Sequence, residues 1–232
     1  MIVGIHQPNY LPWLGFFYKM SRCDVFVLLD DVDINLGGAS AITHRTKTMG
    51  SNGPVQLSIP LKRDSGPAIR EVKIALDGKW NSKHRQTLDG GYAKAQHYAS
   101  IRPFLHASLE SPPETLSALN VALIEGLKNI LQIRTRTVLS SELGIPAGSP
   151  SDRLSRLCRA VGGDVYLSGN GARSYNEPSV FESHGVRLQY SAFQHPTYEQ
   201  GRHAFTPGLS VVDAIAWTGA QTASSFLASA AE

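Results

Sequence analysis

Two stretches near the amino terminus decide the fold: IVGIHQPNYLPWLGFFYK at residues 2–19 and VFVLLDD at residues 25–31. In the first, a short apolar run stops at His6, and a turn rich in proline and aromatic residues follows. In the second, an apolar run ends in the acidic pair Asp30 and Asp31. The pattern predicts a strand, a loop, a short helix and a second strand. If the strands are parallel, His6 and the acidic pair lie at the sheet edge where open α/β proteins bind ligands.

A second β-α-β unit is predicted late in the chain, where a helix capped by Ser151 and Asp152 joins two short apolar strands. Its short connection makes those strands parallel and the crossover right-handed. The predicted elements are, in order, strand 2–5, helix 12–21, strand 24–29, a mobile loop over 35–53, strands 55–59 and 70–74, helix 79–110 broken at Gly90-Gly91, helix 114–132, strand 137–139, helix 151–161, strand 164–167, strand 186–190 and helices 209–217 and 222–230.

These elements predict one three-layer α/β domain over residues 1–232, with a mostly parallel, Rossmann-like sheet and helices on both faces. The runs 55–59 and 70–74 both alternate between apolar and polar residues, which favours an antiparallel pair. We therefore expect a small β-hairpin lobe, inserted at approximately residues 35–78.

Composition limits the classes of partner. Of 232 residues, 42% are hydrophobic and 18% charged, and the net charge is +3, without the clustered basic runs of nucleic-acid binders. The two cysteines, Cys23 and Cys158, lie in apolar patterns and favour a reducing compartment. The amino terminus lacks the basic region of a signal peptide, and no apolar run reaches the ~20 residues of a membrane span. We expect a cytoplasmic protein with an anionic or aminoacyl small-molecule substrate.

Four predicted strands end in polar or glycine residues, and these ends define the candidate site. They are His6, Asp30-Asp31, Ser140-Ser141 and Ser168-Gly169. The small residues after Ser168 allow a ligand to approach the backbone closely, and helix amino termini after such ends favour phosphate or carboxylate. His6 is a candidate general base, because its ordinary pKa of about 6.5 allows either protonation state.

Each of the other candidate residues has more than one possible role. The aspartates at 30 and 31 would hold a ribose hydroxyl, an ammonium group or a metal, or would only cap a turn. The spacing of Asp31 and Asp33 makes Mg²⁺ a candidate cofactor, and no residues are assigned as metal ligands. Arg45 and Lys47 would reach over the site and grip phosphate. A late polar and aromatic cluster containing His195 and Tyr198 is expected to fold over the site as a loop.

The same residues resemble the WbqC-like protein family. The resemblance rests on the opening motif from His6 to Phe17, on residues 23–32 and on the segment from His195 to Gln200 with Leu209–Asp213. Trp80 with Lys83-His84, Ser140-Ser141 and the run Tyr166–Gly169 follow the family pattern in the same order, so the resemblance covers nearly the whole chain.

The resemblance implies a role in surface-polysaccharide or natural-product biosynthesis, with transfer of glycine or another aminoacyl group. Carried onto this sequence, the polar set of the family is His6, Gln7, Tyr10, Lys19, Asp30, Arg45, Ser168 and Asp213. One departure is His44 before Arg45, where the family usually has asparagine, which makes His44 a candidate added acid or base.

We therefore expect a biosynthetic acyl or aminoacyl transferase in which His6 is the general base, Asp30 orients it or the substrate, and Lys19 completes the catalytic set. Substrate-binding candidates are Gln7, Tyr10, Asp31, Arg45, His44, Ser141, Ser168, Gly169, His195 and Tyr198. Three alternatives remain open: a nucleotide-dependent transferase or ligase at the same edge, a thioester or ester hydrolase or cyclase, and a non-catalytic scaffold that docks an enzyme or a carrier protein.

Overall fold

The computed structural model describes residues 1–38 and 41–228, and its centre is a five-stranded sheet. Its strands are β1 (Ile2–His6), β2 (Val25–Leu28), β5 (Arg136–Leu139), β6 (Val165–Ser168) and β7 (Arg187–Tyr190), while β3 (Arg45–Gly50) and β4 (Gly53–Ser58) form a separate antiparallel pair. The order in the sheet is β5-β2-β1-β6-β7, and all four pairings are parallel. The predicted α/β class, the parallel sheet and the presence of a hairpin are confirmed.

Helices cover both faces of the sheet, because successive side chains of each strand point to opposite faces. The helices are α1 (Leu14–Ser21), α2 (Trp80–Tyr92), α3 (Tyr98–Glu110), α4 (Leu116–Ile130), α5 (Pro150–Ala160), α6 (Pro178–Ser183), α7 (Val211–Thr218) and α8 (Ala220–Ala228). On one face Val3, Val25 and Val27 pack in a core with residues of α5 and α6. On the other, Phe26 and Leu28 join a larger core formed with the remaining helices.

The hairpin lies inside the expected interval but is built from a different pair of segments. Residues 45–50 form β3, although the sequence predicted a mobile loop there, and they pair with β4. The segment predicted as the second strand contains a 3₁₀ turn, Ile69–Glu71, and makes only isolated bridges at Lys73 and Ile74. The prediction failed because β3 is mostly polar, so its pairing leaves no apolar alternation in the sequence.

Two helix boundaries also differ from the predictions. Helix α1 begins at Leu14, because Leu11 has a positive φ of 41° and Trp13 is extended. The chain does not break at Gly90-Gly91, which lie inside α2. A Cβ at Gly91 would lie 2.0 Å from the Met49 carbonyl oxygen, so the glycine permits α2 to pack directly on β3. The helix α6 was not predicted, and the expected end of the last helix, 229–230, lies outside the described residues.

Within residues 1–38 and 41–228, none of the helices combines the length and the apolar character that a bilayer crossing requires.

Candidate functional site

A cavity of about 440 Å³ opens at the carboxyl edge of the sheet, over β1 and β6. The strand ends supply its floor, and the loops that follow β6 and β7 supply part of its wall. It is lined by Ile5, His6, Trp13, Gly15, Phe16, Lys19, Ile42, Tyr166, Ser168, Gly169, Asn170, Gly171, Ala172, Tyr175, Ser191 and Phe193. Three of the expected strand-end residues, His6, Ser168 and Gly169, therefore share one cavity with Lys19.

The His6 imidazole is held in one tautomer. Its Nδ1 lies 3.0 Å from the Gln7 carbonyl oxygen, which can only accept, so Nδ1 carries the proton and Nε2 carries a lone pair. The ring packs edge-on against Phe16, with 5.1 Å between ring centroids. Burial and the nearby Lys19 ammonium together lower the pKa of His6 to about 4, against a smaller opposing effect of the Gln7 hydrogen bond. At neutral pH His6 is thus a neutral base, and Nε2 has no protein partner within the described chain.

Lys19 lines the same cavity and places a positive charge near this imidazole. The side chain is 5% exposed, and its Nζ donates to the Ile5 carbonyl oxygen at 2.7 Å. The rings of Phe26 and Tyr166 each lie 5.8 Å from Nζ. No carboxylate among the described residues pairs with Lys19. Burial lowers its pKa to about 8, so the group is still mostly charged at pH 7.

The turn after β6 leaves open space in the cavity. Ser168 is fully buried, and its hydroxyl accepts a hydrogen bond from the Asn176 amide at 3.0 Å. A Cβ built on Gly169 or Gly171 would meet nothing within 4 Å, so no protein atom fills the space beside them. The amides of Asn170 and Gly171 begin a 3₁₀ turn, where N–H groups have no acceptor inside the turn. The turn can therefore present donors to a ligand.

Two exposed aromatic residues line the cavity. Trp13 is 38% exposed and Tyr175 is 62% exposed, which is unusual for large apolar side chains. Trp13 lies against Gly15, where a Cβ would come 2.3 Å from the indole. Phe193 supports the indole edge-on, with 5.2 Å between ring centroids. Neither Trp13 nor Tyr175 was predicted to be a site residue, although Trp13 lies between His6 and Lys19 in the sequence.

The acidic pair forms its own network and does not line the cavity. Asp30 is 2% exposed and accepts from Ser140 Oγ at 3.1 Å, Ser141 N at 3.0 Å and Ser141 Oγ at 2.8 Å. Asp31 pairs with Arg153, with 2.7 Å between Oδ2 and the guanidinium. The structure thus brings together the ends of β2 and β5, as expected, but the Asp30 carboxylate bonds to these serines and not to His6.

The weak magnesium candidate gains no geometric support. The partner of Asp31 is an arginine, and Asp33 forms an isolated backbone bridge with Ala68. Among residues 1–38 and 41–228, no group of three or more histidine, cysteine or acidic side chains is arranged to hold a metal ion.

Four further candidates lie around the loop between β1 and α1. Gln7 Oε1 accepts from the Thr43 hydroxyl at 3.0 Å. The Tyr10 hydroxyl is buried and lies 2.9 Å from His84 Nδ1. The contacts of Gln7 and Tyr10 therefore anchor the loop. His44 is buried, its Nδ1 lacks a hydrogen-bond partner within the described chain, and burial together with Arg45 lowers its pKa. Arg45 lies in a neighbouring cavity and not in that of His6.

The late loop packs against Trp13, and both ring nitrogens of its histidine are hydrogen-bonded. His195 Nδ1 donates to the Pro196 carbonyl oxygen at 3.1 Å, and Nε2 accepts from the Gly208 amide at 3.0 Å, so both ring nitrogens are occupied. The Tyr198 hydroxyl donates to the buried Asp213 carboxylate at 2.9 Å. These contacts hold the segment that brings Ser191 and Phe193 to the cavity wall.

Neither cysteine has the surroundings of a nucleophile. Both thiols are free and buried. Burial raises the pKa of Cys23 to about 12 and that of Cys158 to about 11, so the reactive thiolate is scarce at neutral pH.

The fold and the cavity together describe an α/β protein with a histidine and a lysine at the carboxyl edge of a parallel sheet. The chain belongs to the WbqC-like protein family, whose model matches residues 7–225. It is similar to a Mycobacterium tuberculosis (strain ATCC 25618 / H37Rv) protein described as "Uncharacterized protein Rv1507c", with 30% identity over 224 residues, which is 94% of each chain. No solved structure matches the chain.

Proposed function

We propose that this protein is a biosynthetic transferase that moves an acyl or aminoacyl group onto an amine or hydroxyl of a small molecule. The observation that carries the proposal is the free Nε2 lone pair of a neutral His6, next to a buried Lys19 ammonium that has no carboxylate partner in the described chain. A neutral base can take the proton from the nucleophile, and an unpaired cation in the same cavity can stabilise the oxyanion that forms during acyl transfer.

In the proposed reaction, His6 Nε2 takes the proton from the attacking amine or hydroxyl as the new C–N or C–O bond forms at the acyl carbon. The negative charge that develops on the carbonyl oxygen is stabilised by Lys19, whose ammonium has three donors and uses one on Ile5. When the bond to the sulfur of the thioester donor breaks, the imidazolium returns the proton to the leaving thiolate. Atoms and charge balance without any further reactant.

The surrounding groups fit this chemistry. The open space beside Gly169 and Gly171 gives the acyl group room next to the backbone. The aromatic rings of Trp13 and Tyr175 suit a flat or apolar part of the substrate. A water molecule in place of the amine would give hydrolysis, so the acceptor distinguishes a transferase from a hydrolase.

The pKa values define the expected pH dependence. His6 must be neutral, which requires a pH above about 4, and Lys19 must be charged, which requires a pH below about 8. The kcat/KM profile is therefore expected to be bell-shaped with limbs near these values.

The test uses a panel of aminoacyl and acyl thioesters with amine and hydroxyl acceptors, with release of the free thiol as the measurement. His6→Asn is expected to lower turnover by about 10²–10⁴-fold, as loss of a positioned base does, with an unchanged circular dichroism spectrum. His203→Asn is the matched control, because His203 does not line the cavity. Folded His6→Asn with more than a tenth of wild-type turnover would contradict the proposal, as would thiol release that ignores the acceptor or no release with any thioester.

A further inference from the structure

A second cavity, of about 380 Å³, lies between the β3–β4 hairpin and the loop that precedes α1. It shares two lining residues, Trp13 and Ile42, with the cavity of His6. The two spaces are therefore neighbours on either side of one apolar wall. None of the proposed catalytic groups lines the second cavity.

The charges that line this second cavity have one sign. Arg45 and Lys47 are two residues apart on β3, so their side chains leave the same face of the hairpin. The described lining residues include no aspartate or glutamate. Within residues 1–38 and 41–228, neither cation forms an ion pair with a protein carboxylate. Two adjacent unpaired cations favour a ligand that carries more than one negative charge.

Two buried polar atoms of the same lining also lack partners. Arg45 Nε and Asn9 Oδ1 are both shielded from solvent and make no hydrogen bond within the described chain. Asn9 is only 2% exposed. Buried donors and acceptors are nearly always satisfied in folded proteins. A donor and an acceptor left open in one cavity indicate a ligand that supplies an anion and a nearby O–H or N–H group.

We propose that this cavity binds a phosphate monoester that forms the handle of the substrate, with Arg45 and Lys47 on the phosphate and Asn9 on an adjacent hydroxyl or amide. The substrate then crosses the Trp13–Ile42 wall, and its reactive end lies beside His6. The position of the reacting group beside His6 rests on the proposed function. The phosphate site is argued only from the residues of the second cavity.

The decisive experiment measures binding by calorimetry for two pairs of compounds: 4′-phosphopantetheine with pantetheine, and AMP with adenosine. We expect the phosphorylated member of one pair to bind at least tenfold more tightly than its partner, and inorganic phosphate to compete. The pair that shows this difference identifies the source of the phosphate. If neither pair depends on the phosphate, the proposal fails.

Variants test which residue is responsible for the phosphate-dependent binding. Arg45→Gln is expected to weaken binding of the phosphorylated compound by about 10- to 100-fold, as loss of a charge-assisted hydrogen bond does. Arg63→Gln, which removes an exposed arginine outside both cavities, is the control and should leave affinity unchanged. An equal loss of affinity in both variants, or no loss of affinity in Arg45→Gln, would contradict the assignment of the phosphate site to Arg45.

The His6→Asn variant separates this inference from the proposed function. It should keep the wild-type ratio of affinities between the phosphorylated compound and its unphosphorylated partner, because His6 does not line the second cavity. Phosphate-dependent binding together with unchanged turnover in His6→Asn would support this site and reject the catalytic proposal. Loss of phosphate binding in His6→Asn would instead overturn the separation of the two cavities.

Discussion

Replacing Lys19 with methionine is expected to stabilise the protein while it removes the proposed oxyanion partner. The Lys19 pKa falls from its usual 10.5 to about 8 because the side chain is buried. At about 1.36 kcal/mol per pKa unit, the charged ammonium costs about 3 kcal/mol. Methionine avoids this cost and fills a similar volume, but the Ile5 carbonyl oxygen loses a hydrogen bond worth about 1–2 kcal/mol.

The net gain in unfolding free energy is about 1–2 kcal/mol at pH 7, which corresponds to about 2–8 °C in Tm. The gain depends on pH in a defined direction. Between pH 8 and 10.5 the unfolded chain keeps the Lys19 proton that the folded protein has released. The wild type therefore gains about 2–3 kcal/mol relative to Lys19→Met as pH rises to 10, so it becomes the more stable of the two proteins.

The assay is urea unfolding followed by tryptophan fluorescence at pH 7, 8, 9 and 10. Lys128→Met is the matched control, because Lys128 is also buried but donates to Glu125 at 3.0 Å and Thr137 at 3.2 Å. Losing those partners should destabilise the protein by about 1 kcal/mol. Destabilisation by Lys19→Met of more than about 1 kcal/mol at pH 7, or no gain of the wild type relative to this variant between pH 8 and pH 10, would refute the cost assigned to the buried ammonium.

Two further predictions concern other buried groups. Burial lowers the pKa of His84 to about 4. Between pH 6.5 and 4 the unfolded chain therefore binds a proton that the folded protein does not, and the stability of the fold decreases as the pH decreases. As the pH falls from 7 to 4.5, the free energy of unfolding of His84→Gln should decrease by about 2–3 kcal/mol less than that of the wild type. Urea unfolding measures this difference, and an equal decrease in both proteins would contradict the prediction. Gly15→Ala places a Cβ 2.3 Å from the Trp13 indole and should displace it into solvent, which a red shift of tryptophan fluorescence would report. Gly78→Ala, which meets nothing within 4 Å, is the control, and an unshifted spectrum in Gly15→Ala would count against the packing described.

Much of the site could be read from the sequence because strand ends have a simple geometry. Apolar runs ending at His6 and Ser168 predicted that both residues lie at one edge of a parallel sheet, and both do line one cavity. The aspartate pair was also placed at the correct strand end. Its partners were not predictable, because the loop after β5 and the start of α5 reach it only when the chain has folded.

Lys19 shows the limit of pattern reading. Its position in the apolar helix α1 gives no sign that the ammonium lines the cavity and donates to the Ile5 carbonyl oxygen. Neither the exposure of Tyr175 in the cavity nor the existence of the second cavity could be predicted from the sequence, because both depend on how separate loops meet.

Local hydrophobic periodicity and short connections were enough to predict the α/β class, the parallel strands and the histidine at the end of β1. Which polar groups face each other became visible only in the folded structure. Side chains far apart along the chain, such as Asp31 and Arg153, or Trp13 and Phe193, meet only through packing. Periodicity fixes which face of an element is buried, but not which neighbour covers it, and the division of the site into two cavities depends on that packing.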